Sequence, residues 1–97
     1  MYIKIYETDE SILLTVCDRE LIGKTLKSNG LKLDIDEEFY KGELADTTQV
    51  QTALLEATTA NIVGERSVDI AIKCGAIDSA CVIDIGGVPH AQMFCVG

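Results

Sequence analysis

The fold class is decided by residues 46–75, which read DTTQVQTALLEATTANIVGERSVDIAIKCG. This stretch begins with a capping box, because the Asp46 side chain can accept from the backbone N–H of Gln49 while the Gln49 side chain reaches back. Apolar residues then recur at helical spacing through Val50 and Leu54 as far as the position of Asn61. The sequence therefore predicts a first helix over about 47–63.

A second helix is predicted directly after the first, over about 65–74. Gly64 is placed to end the first helix and Gly75 to end the second, because glycine adopts the left-handed conformation at a helix C-terminus. Val68 and Ala71 point inward in this interpretation. Since a single glycine separates the two helices, we expect them to turn sharply and to pack on the same sheet.

The flanking segments alternate apolar and polar residues, which is typical of strands. Strands are predicted at 2–6, 11–17, 23–28, 31–35, 81–85 and 91–96. The pair Asn29-Gly30 tolerates the positive φ angles of a tight two-residue turn, so it favours a hairpin. A helix from Asp18 to Lys27 is the competing interpretation, and the sequence alone leaves this choice open.

The predicted order of elements is four strands, two helices and two strands. Residues 36–46 join the two parts as an irregular connection anchored by Phe39 and Leu44. Because the helices are separated from most strands along the chain, the pattern indicates an α+β fold and not a doubly wound parallel sheet. We therefore expect one domain over residues 1–97, with the two helices packed on a mostly antiparallel sheet of about six strands.

Acidic residues outnumber basic residues by sixteen to eight, which gives a net charge of −8. A surface of this sign repels phosphate backbones and anionic lipids, so direct nucleic-acid binding is not expected. Charged or polar residues interrupt every apolar run well before the roughly 18 residues of a membrane span. The amino terminus also lacks the pattern of an export signal. We therefore expect a cytoplasmic protein with a protein partner and no membrane contact.

The chain contains four cysteines, at positions 17, 74, 81 and 95. None belongs to the close Cys pairs from which structural zinc sites are built, and His90 is the only histidine. Cys17, Cys81 and Cys95 fall at apolar positions of predicted strands, where a reduced cysteine behaves as a small buried side chain. We therefore predict core thiols, no metal site and no cofactor.

A partial phosphate-binding motif, Gly23-Lys24-Thr25, is present, but the position of its first glycine is occupied by Asp18. A carboxylate there would repel phosphate, so no nucleotide site is predicted. Asp18 instead has the residue type of an N-cap, and we expect it to cap a single helical turn over 18–22.

Two segments hold the residues that could carry chemistry. Between the last two predicted strands, two glycines and a proline define a tight loop that presents His90, which can change protonation near neutral pH. Asn61 lies on the apolar stripe of the first predicted helix, where an unpaired amide would cost about 1–3 kcal/mol, so it needs a partner such as a loop group or His90. Residues 64–67 could hold an anion on free helix amides, unless Glu65 itself satisfies the helix dipole.

Four strings of the sequence resemble a known family. They read CDRELIGK at 17–24, FYKG at 39–42, ANIVGER at 60–66 and IGGVPHAQ at 85–92. In this order they resemble the small archaeal proteins known as domain of unknown function 424, over nearly the whole chain. The resemblance implies a stand-alone cytosolic archaeal domain with no established activity, and a link to translation and ribosome maturation.

Several functions are open at this point. In the first, the chain is a binding or adaptor domain for a protein of the translation machinery. The binding residues predicted for it lie on two segments and are Asn61, Gly64, Glu65, Arg66, Gly87, Pro89, His90 and Gln92. In the second, the chain is a small enzyme in which His90 is the general acid or base and Glu65 or Asp84 orients it. Direct RNA binding is a third alternative.

Overall fold

The computed structural model describes residues 1–94 of the chain. Its strands are β1 (Tyr2–Glu7), β2 (Ile12–Cys17), β3 (Thr25–Ser28), β4 (Leu31–Asp34), β5 (Glu43–Leu44), β6 (Thr59–Val63), β7 (Ile83–Ile85) and β8 (Val88–Phe94). Its helices are α1 (Glu37–Tyr40), α2 (Thr47–Glu56) and α3 (Glu65–Lys73), and short 3-10 turns cover Arg19–Leu21 and Ser79–Cys81. The last predicted strand, 91–96, is part of β8 up to Phe94, and its positions 95 and 96 lie outside the described residues.

Six strands form the main sheet, in the order β5-β1-β2-β6-β8-β7. Every neighbouring pair is antiparallel except β2 and β6, which run parallel. This arrangement confirms the predicted α+β fold with a mostly antiparallel sheet of six strands. The set of strands differs from the predicted set, because β3 and β4 pair only with each other in a separate two-stranded sheet. The short β5 and the central β6 take their places.

The first predicted helix is too long, since α2 ends at Glu56 and residues 59–63 form a central strand. Ala57 has extended backbone angles, and the hydroxyl of Thr58 bonds to both the N–H and the C=O of Ile12 at the start of β2. The prediction of a helix over 47–63 is therefore wrong beyond its first ten residues. The error arises from the segment ANIV at 60–63, a short apolar run whose spacing fits a helix and a strand equally well.

Two other local predictions are confirmed. The second helix is found as α3, with Cys74 as its C-cap and Gly75 at a φ of +81°. The chain turns between β3 and β4 at Asn29 and Gly30, whose φ angles are +46° and +85°. Residues 18–27 therefore contain a 3-10 turn and the start of a hairpin, and the alternative of one helix from 18 to 27 is wrong.

The connection over residues 36–46 contains α1 and the two-residue edge strand β5. Tyr40 is buried, and Phe39 stacks on the ring of Tyr6 with centroids 5.4 Å apart. Leu44 is 57% exposed, so it does not anchor the connection as predicted. The reason is its place on the outermost strand, where no element covers it; Phe39 and Tyr40 hold the segment against the sheet.

The main sheet is covered on both faces. On the helix face, α2 and α3 pack over a core that includes Leu14, Val16, Leu54, Ile62, Val68, Ala91 and Met93. On the opposite face, which we call the hairpin face, the β3–β4 hairpin and α1 cover a second core that includes Cys17, Leu26, Ile35, Tyr40, Val63 and Ile85. No helix among residues 1–94 is both long enough and apolar enough to cross a membrane.

Candidate functional site

The N-terminus of α3 is capped by a carboxylate from a distant part of the chain. Strands β2 and β6 are parallel and in register up to the pair Cys17–Val63, so Asp18 and Gly64 leave the sheet side by side. Asp18 Oδ1 accepts from the backbone N–H and the hydroxyl of Ser67, at 2.8 and 2.7 Å, and Oδ2 accepts from the N–H of Arg66 at 3.1 Å. Asp18 therefore caps α3, whereas the predicted cap on its own 3-10 turn is not formed by its side chain.

Gly64 is required by this cap. Its φ is +111°, and a Cβ at this position would lie 2.6 Å from both Cβ and Oδ1 of Asp18. Its N–H donates to the carbonyl of Pro89 at 2.9 Å, which ties the junction to β8. Gly64 is thus the N-cap residue of α3, not the end of a preceding helix. The amides of Arg66 and Ser67 already bind a carboxylate, so the anion interpretation of residues 64–67 is wrong, and Asp18 rather than Glu65 supplies the capping oxygens.

A hollow of about 180 Å³ lies beside this cap, lined by Asp18, Glu20, Leu21, Glu65, Arg66, Gly87 and Val88. The Arg66 guanidinium donates to Glu20 Oε1 at 3.1 Å, and both side chains are more than half exposed, so the pair adds little stability by itself. Three of the four family-like strings, 17–24, 60–66 and 85–92, meet at this hollow. Their shared location is explained by the packing and capping of the β6–α3 junction.

The turn between β7 and β8 consists of Gly86 and Gly87, with φ angles of +61° and +87°. The Asp84 carboxylate accepts from the N–H of Gly87 at 2.9 Å and closes the turn. Because the two glycines suffice for the turn, strand pairing resumes at Val88 and includes the next residues. His90 therefore lies on β8 and not on a loop, which corrects the sequence-based prediction.

His90 is half-buried on the hairpin face. Its Nδ1 lies 3.0 Å from the carbonyl oxygen of Ile62, and since a carbonyl only accepts, Nδ1 carries the proton in this bond. Burial lowers the pKa of His90 below its ordinary value, and the bond to Ile62 offsets part of this effect. The imidazole is therefore neutral at pH 7, and its Nε2 is a hydrogen-bond acceptor.

Asn61 and Gln92 form a pair beside His90 on the same face. They lie directly opposite each other on β6 and β8, and Gln92 Nε2 donates to Asn61 Oδ1 at 3.0 Å. Asn61 is half-buried on a strand and Gln92 is exposed. Asn61 thus needs a partner, as predicted, but the partner is Gln92, and the predicted placement on the buried stripe of a helix is wrong because residues 59–63 form β6.

A groove separates the tip of the β3–β4 hairpin from strands β7 and β8, with a volume of about 350 Å³. We call it the hairpin groove. It is lined by Leu31, Lys32, Leu33, Cys81, Ile83, Ile85, His90, Ala91 and Gln92. Leu31 and Ile83 are 53% and 47% exposed at its rim. An apolar groove with a few hydrogen-bonding groups is the usual form of a binding site.

The structure divides the predicted binding residues into two groups. His90 and Gln92 line the hairpin groove, and Asn61 is attached to it through Gln92. The others surround the α3 cap: Gly64, Glu65, Arg66, Gly87 and Pro89. Sequence reasoning missed Leu31 and Ile83 as site residues, because each falls on the apolar side of a strand and is indistinguishable there from a core residue.

The surroundings of His90 differ from those that the enzyme alternative requires. No carboxylate among residues 1–94 hydrogen-bonds to His90; its Nδ1 is bonded to the Ile62 carbonyl, and Asp84 is engaged at the turn. Within the same residues there is no group of three His, Cys, Asp or Glu side chains that could hold a metal ion. The proposed orientation of His90 by Glu65 or Asp84 is therefore absent from the described part of the chain.

The described cysteines differ in their surroundings. Cys17 is buried, and burial, with smaller contributions from Asp18 and Glu20, raises its thiol pKa to about 12. Cys74 is half-buried. Cys81 is exposed on a 3-10 turn, so its predicted place inside a strand is wrong; the strand begins only at Ile83. The predicted burial of Cys95 lies outside the described residues.

The comparisons with known proteins identify a family but no activity. No curated protein matches the chain. The chain is similar to a solved structure described as an uncharacterized conserved protein from Methanopyrus kandleri, with a TM-score of 0.80 and 27% identity over 99% of this chain and 93% of that one. Residues 6–96 match the family described as "Protein of unknown function (DUF424)". The resemblance noted in the sequence is thereby confirmed, and the chain belongs to the DUF424 family.

Proposed function

We propose that the chain is a small binding domain that holds a segment of a partner protein in the hairpin groove. The observation that carries this proposal is the exposure of Leu31 and Ile83 on either side of a groove walled by Leu33 and Ile85. Covering those side chains with an apolar segment would remove their surface from water at about 25 cal/mol per Å². A partner thus gains affinity from surface that the fold leaves open.

The polar groups of the groove suit a peptide chain. The Asn61–Gln92 bond uses one carboxamide oxygen and one N–H, which leaves a donor and an acceptor for a ligand. His90 is neutral at pH 7 for the reason given above, so it adds an acceptor without adding charge. Neutral donors and acceptors between apolar walls match the alternating groups of a peptide backbone.

The place of the partner in translation or ribosome maturation, and the cytoplasmic location of the chain, rest on the family resemblance and on the sequence pattern. They are part of the same proposal. The enzyme alternative receives no support from the geometry of His90, because neither Glu65 nor Asp84 hydrogen-bonds to it and Asp84 is engaged at the turn.

The test uses two matched double variants as bait in an archaeal lysate. Leu31→Ser with Ile83→Ser removes the apolar rim of the groove, whereas Leu44→Ser with Leu55→Ser removes two leucines elsewhere that are at least as exposed. Since all four side chains are about half exposed or more, both variants should keep the fold, which a thermal unfolding curve verifies.

We expect mass spectrometry to find a protein that is captured equally by the wild-type chain and by the Leu44/Leu55 variant, and lost with the Leu31/Ile83 variant. Equal capture of the same proteins by all three baits would contradict the proposal. Recovery of general chaperones alone by the wild-type chain would contradict it as well.

A further inference from the structure

The β3–β4 hairpin carries a positive charge that contrasts with the rest of the molecule. Residues 23–33 contain Lys24, Lys27 and Lys32 and no acidic residue. The remaining positions carry five basic and sixteen acidic residues. Asp34 at the end of β4 is the first acidic residue after this segment. The most basic segment of this acidic chain therefore includes the strand that forms a wall of the hairpin groove.

Lys32 forms a loose, exposed ion pair with Asp34, and Lys24 and Lys27 form no ion pair among residues 1–94. Lys27 and Lys32 lie directly opposite each other on β3 and β4, an arrangement in which like charges repel. The Asp34 carboxylate lies 3.8 Å from Lys32 Nζ, and its other oxygen accepts from the Thr25 hydroxyl. By contrast, Lys41, Arg66 and Lys73 form ion pairs at 3.3 Å or less.

The two faces of β4 therefore offer different chemistry within one strand. Leu31 and Leu33 line the hairpin groove. Lys32 lies on the other face of the hairpin together with Lys27, and it also lines the groove. A second hollow at the tip of the hairpin is bounded by Lys27, Leu31 and Lys32. A ligand that extends out of the groove at the hairpin tip would therefore lie next to the positive charges of Lys27 and Lys32.

We propose that the partner segment is an acidic peptide, with apolar side chains in the hairpin groove and flanking carboxylates on Lys27 and Lys32. This inference rests on the proposed function and adds the charge of the partner to it. Opposite charge across an interface speeds encounter and selects among partners more than it raises affinity. A like-charged pair such as Lys27 and Lys32 gains most from such a ligand, because the ligand relieves its repulsion.

An RNA strand fits this surface less well. No Phe, Tyr or Trp among residues 1–94 lines the groove, whereas proteins that hold single strands stack successive bases on such rings. The acidic surface outside the hairpin would also repel a long phosphate backbone. A short acidic segment avoids both difficulties, since its few carboxylates need only the hairpin.

The test selects ligands from a library of short random peptides displayed on phage, with three forms of the complete chain as bait. These are the wild-type chain, a variant with Lys27→Gln and Lys32→Gln, and the Leu31→Ser, Ile83→Ser variant. Both lysines are exposed, so their neutralisation should leave the fold intact. Selected peptides are then synthesised and their affinities measured by fluorescence anisotropy at low and high salt.

We expect the wild-type chain to enrich peptides that combine apolar residues with several Asp or Glu. The Lys27/Lys32 variant should keep the apolar preference, lose the acidic one and bind the wild-type peptides about tenfold more weakly. Enrichment of apolar peptides without acidic residues would overturn the proposed charge of the partner but keep the groove as a binding site. No enrichment by the wild-type chain, or equal enrichment by the Leu31/Ile83 variant, would overturn both.

A single-stranded oligouridine is titrated in parallel as a probe for RNA. No binding at low salt is expected. Tight binding that weakens steeply with salt and is lost in the Lys27/Lys32 variant would replace the acidic peptide by RNA as the ligand of the hairpin.

Discussion

At the scale of single residues, the fold depends on the buried carboxylate of Asp18. This carboxylate accepts three hydrogen bonds from Arg66 and Ser67, which satisfies donors that would otherwise be left unpaired inside the protein. Sequence reasoning recognised a capping residue at this position but assigned it to the adjacent turn. The true partner lies far along the chain, and it is brought close only by the parallel pairing of β2 and β6.

Replacing Asp18 by Ala should therefore lower the free energy of unfolding by about 2–4 kcal/mol, because buried N–H and O–H donors lose their acceptor. The matched control is Asp46→Ala, which removes the exposed cap of α2 and should cost about 1 kcal/mol. Urea denaturation of the two variants measures both values. Equal losses in the two variants would show that the buried cap stabilises the fold no more than the exposed cap does.

His90 should make the fold sensitive to mild acid. Burial lowers the pKa of His90 in the folded chain below its ordinary value of 6.5, so the unfolded chain binds the proton first as the pH falls. The free energy of unfolding should therefore decrease as the pH drops below about 6.5 and stop responding to His90 once the folded imidazole is protonated. The wild-type chain should lose more stability than His90→Gln between about pH 7 and pH 5.5 in denaturation curves. Parallel curves for the two proteins would refute this.

At the scale of elements, β6 is a central strand of the main sheet and, with the short β5, one that sequence periodicity misses. The periodicity of α2 holds through Leu54, and the capping box at Asp46 forms as predicted. Beyond Glu56, however, the apolar run is too short for strand alternation to be distinguished from helical spacing. The outcome is decided by non-local pairing, because β6 bonds with β2 on one side and with β8 on the other.

The junction between β6 and α3 leaves no room for a side chain at Gly64. Gly64→Ala should lower the free energy of unfolding by about 3 kcal/mol or more, because its Cβ would collide with Asp18 in addition to the strain of a positive φ. Gly75→Ala is the matched control, since Gly75 also has a positive φ but open space around it, and should cost about 1 kcal/mol. Chemical denaturation compares the two. Similar losses of stability in the two variants would mean that Asp18 moves away from the new Cβ without a further loss.

At the scale of the whole molecule, the main sheet is covered on both faces, and the hairpin groove lies open beside the core of its hairpin face. The α+β class and the antiparallel character follow from the order of strand-like and helix-like segments. The hairpin groove could not be predicted, because it arises where the β3–β4 hairpin lies over β7 without pairing with it. Leu31 and Ile83 satisfy the pattern of core residues, yet this placement leaves both of them partly exposed.

This layering should be visible in thiol reactivity. In the native chain at pH 8, iodoacetamide should label the exposed Cys81 readily, whereas Cys17 should stay unmodified because it is buried and its pKa is raised to about 12. Labelling of Cys17 should begin only when denaturant unfolds the chain. Peptide mass spectrometry follows each site separately, and rapid native labelling of Cys17 would contradict the closed hairpin-face core.

The binding role of the hairpin groove is tested most directly by mapping amide chemical shifts of the isotope-labelled chain while a captured partner segment or a selected peptide is added. The largest changes are expected at Leu31, Leu33, Ile83 and Gln92, with His90 among them. Changes confined to the hollow beside Asp18, or to the exposed Leu55 and Phe94 at another part of the surface, would contradict the assignment of the groove as the binding site.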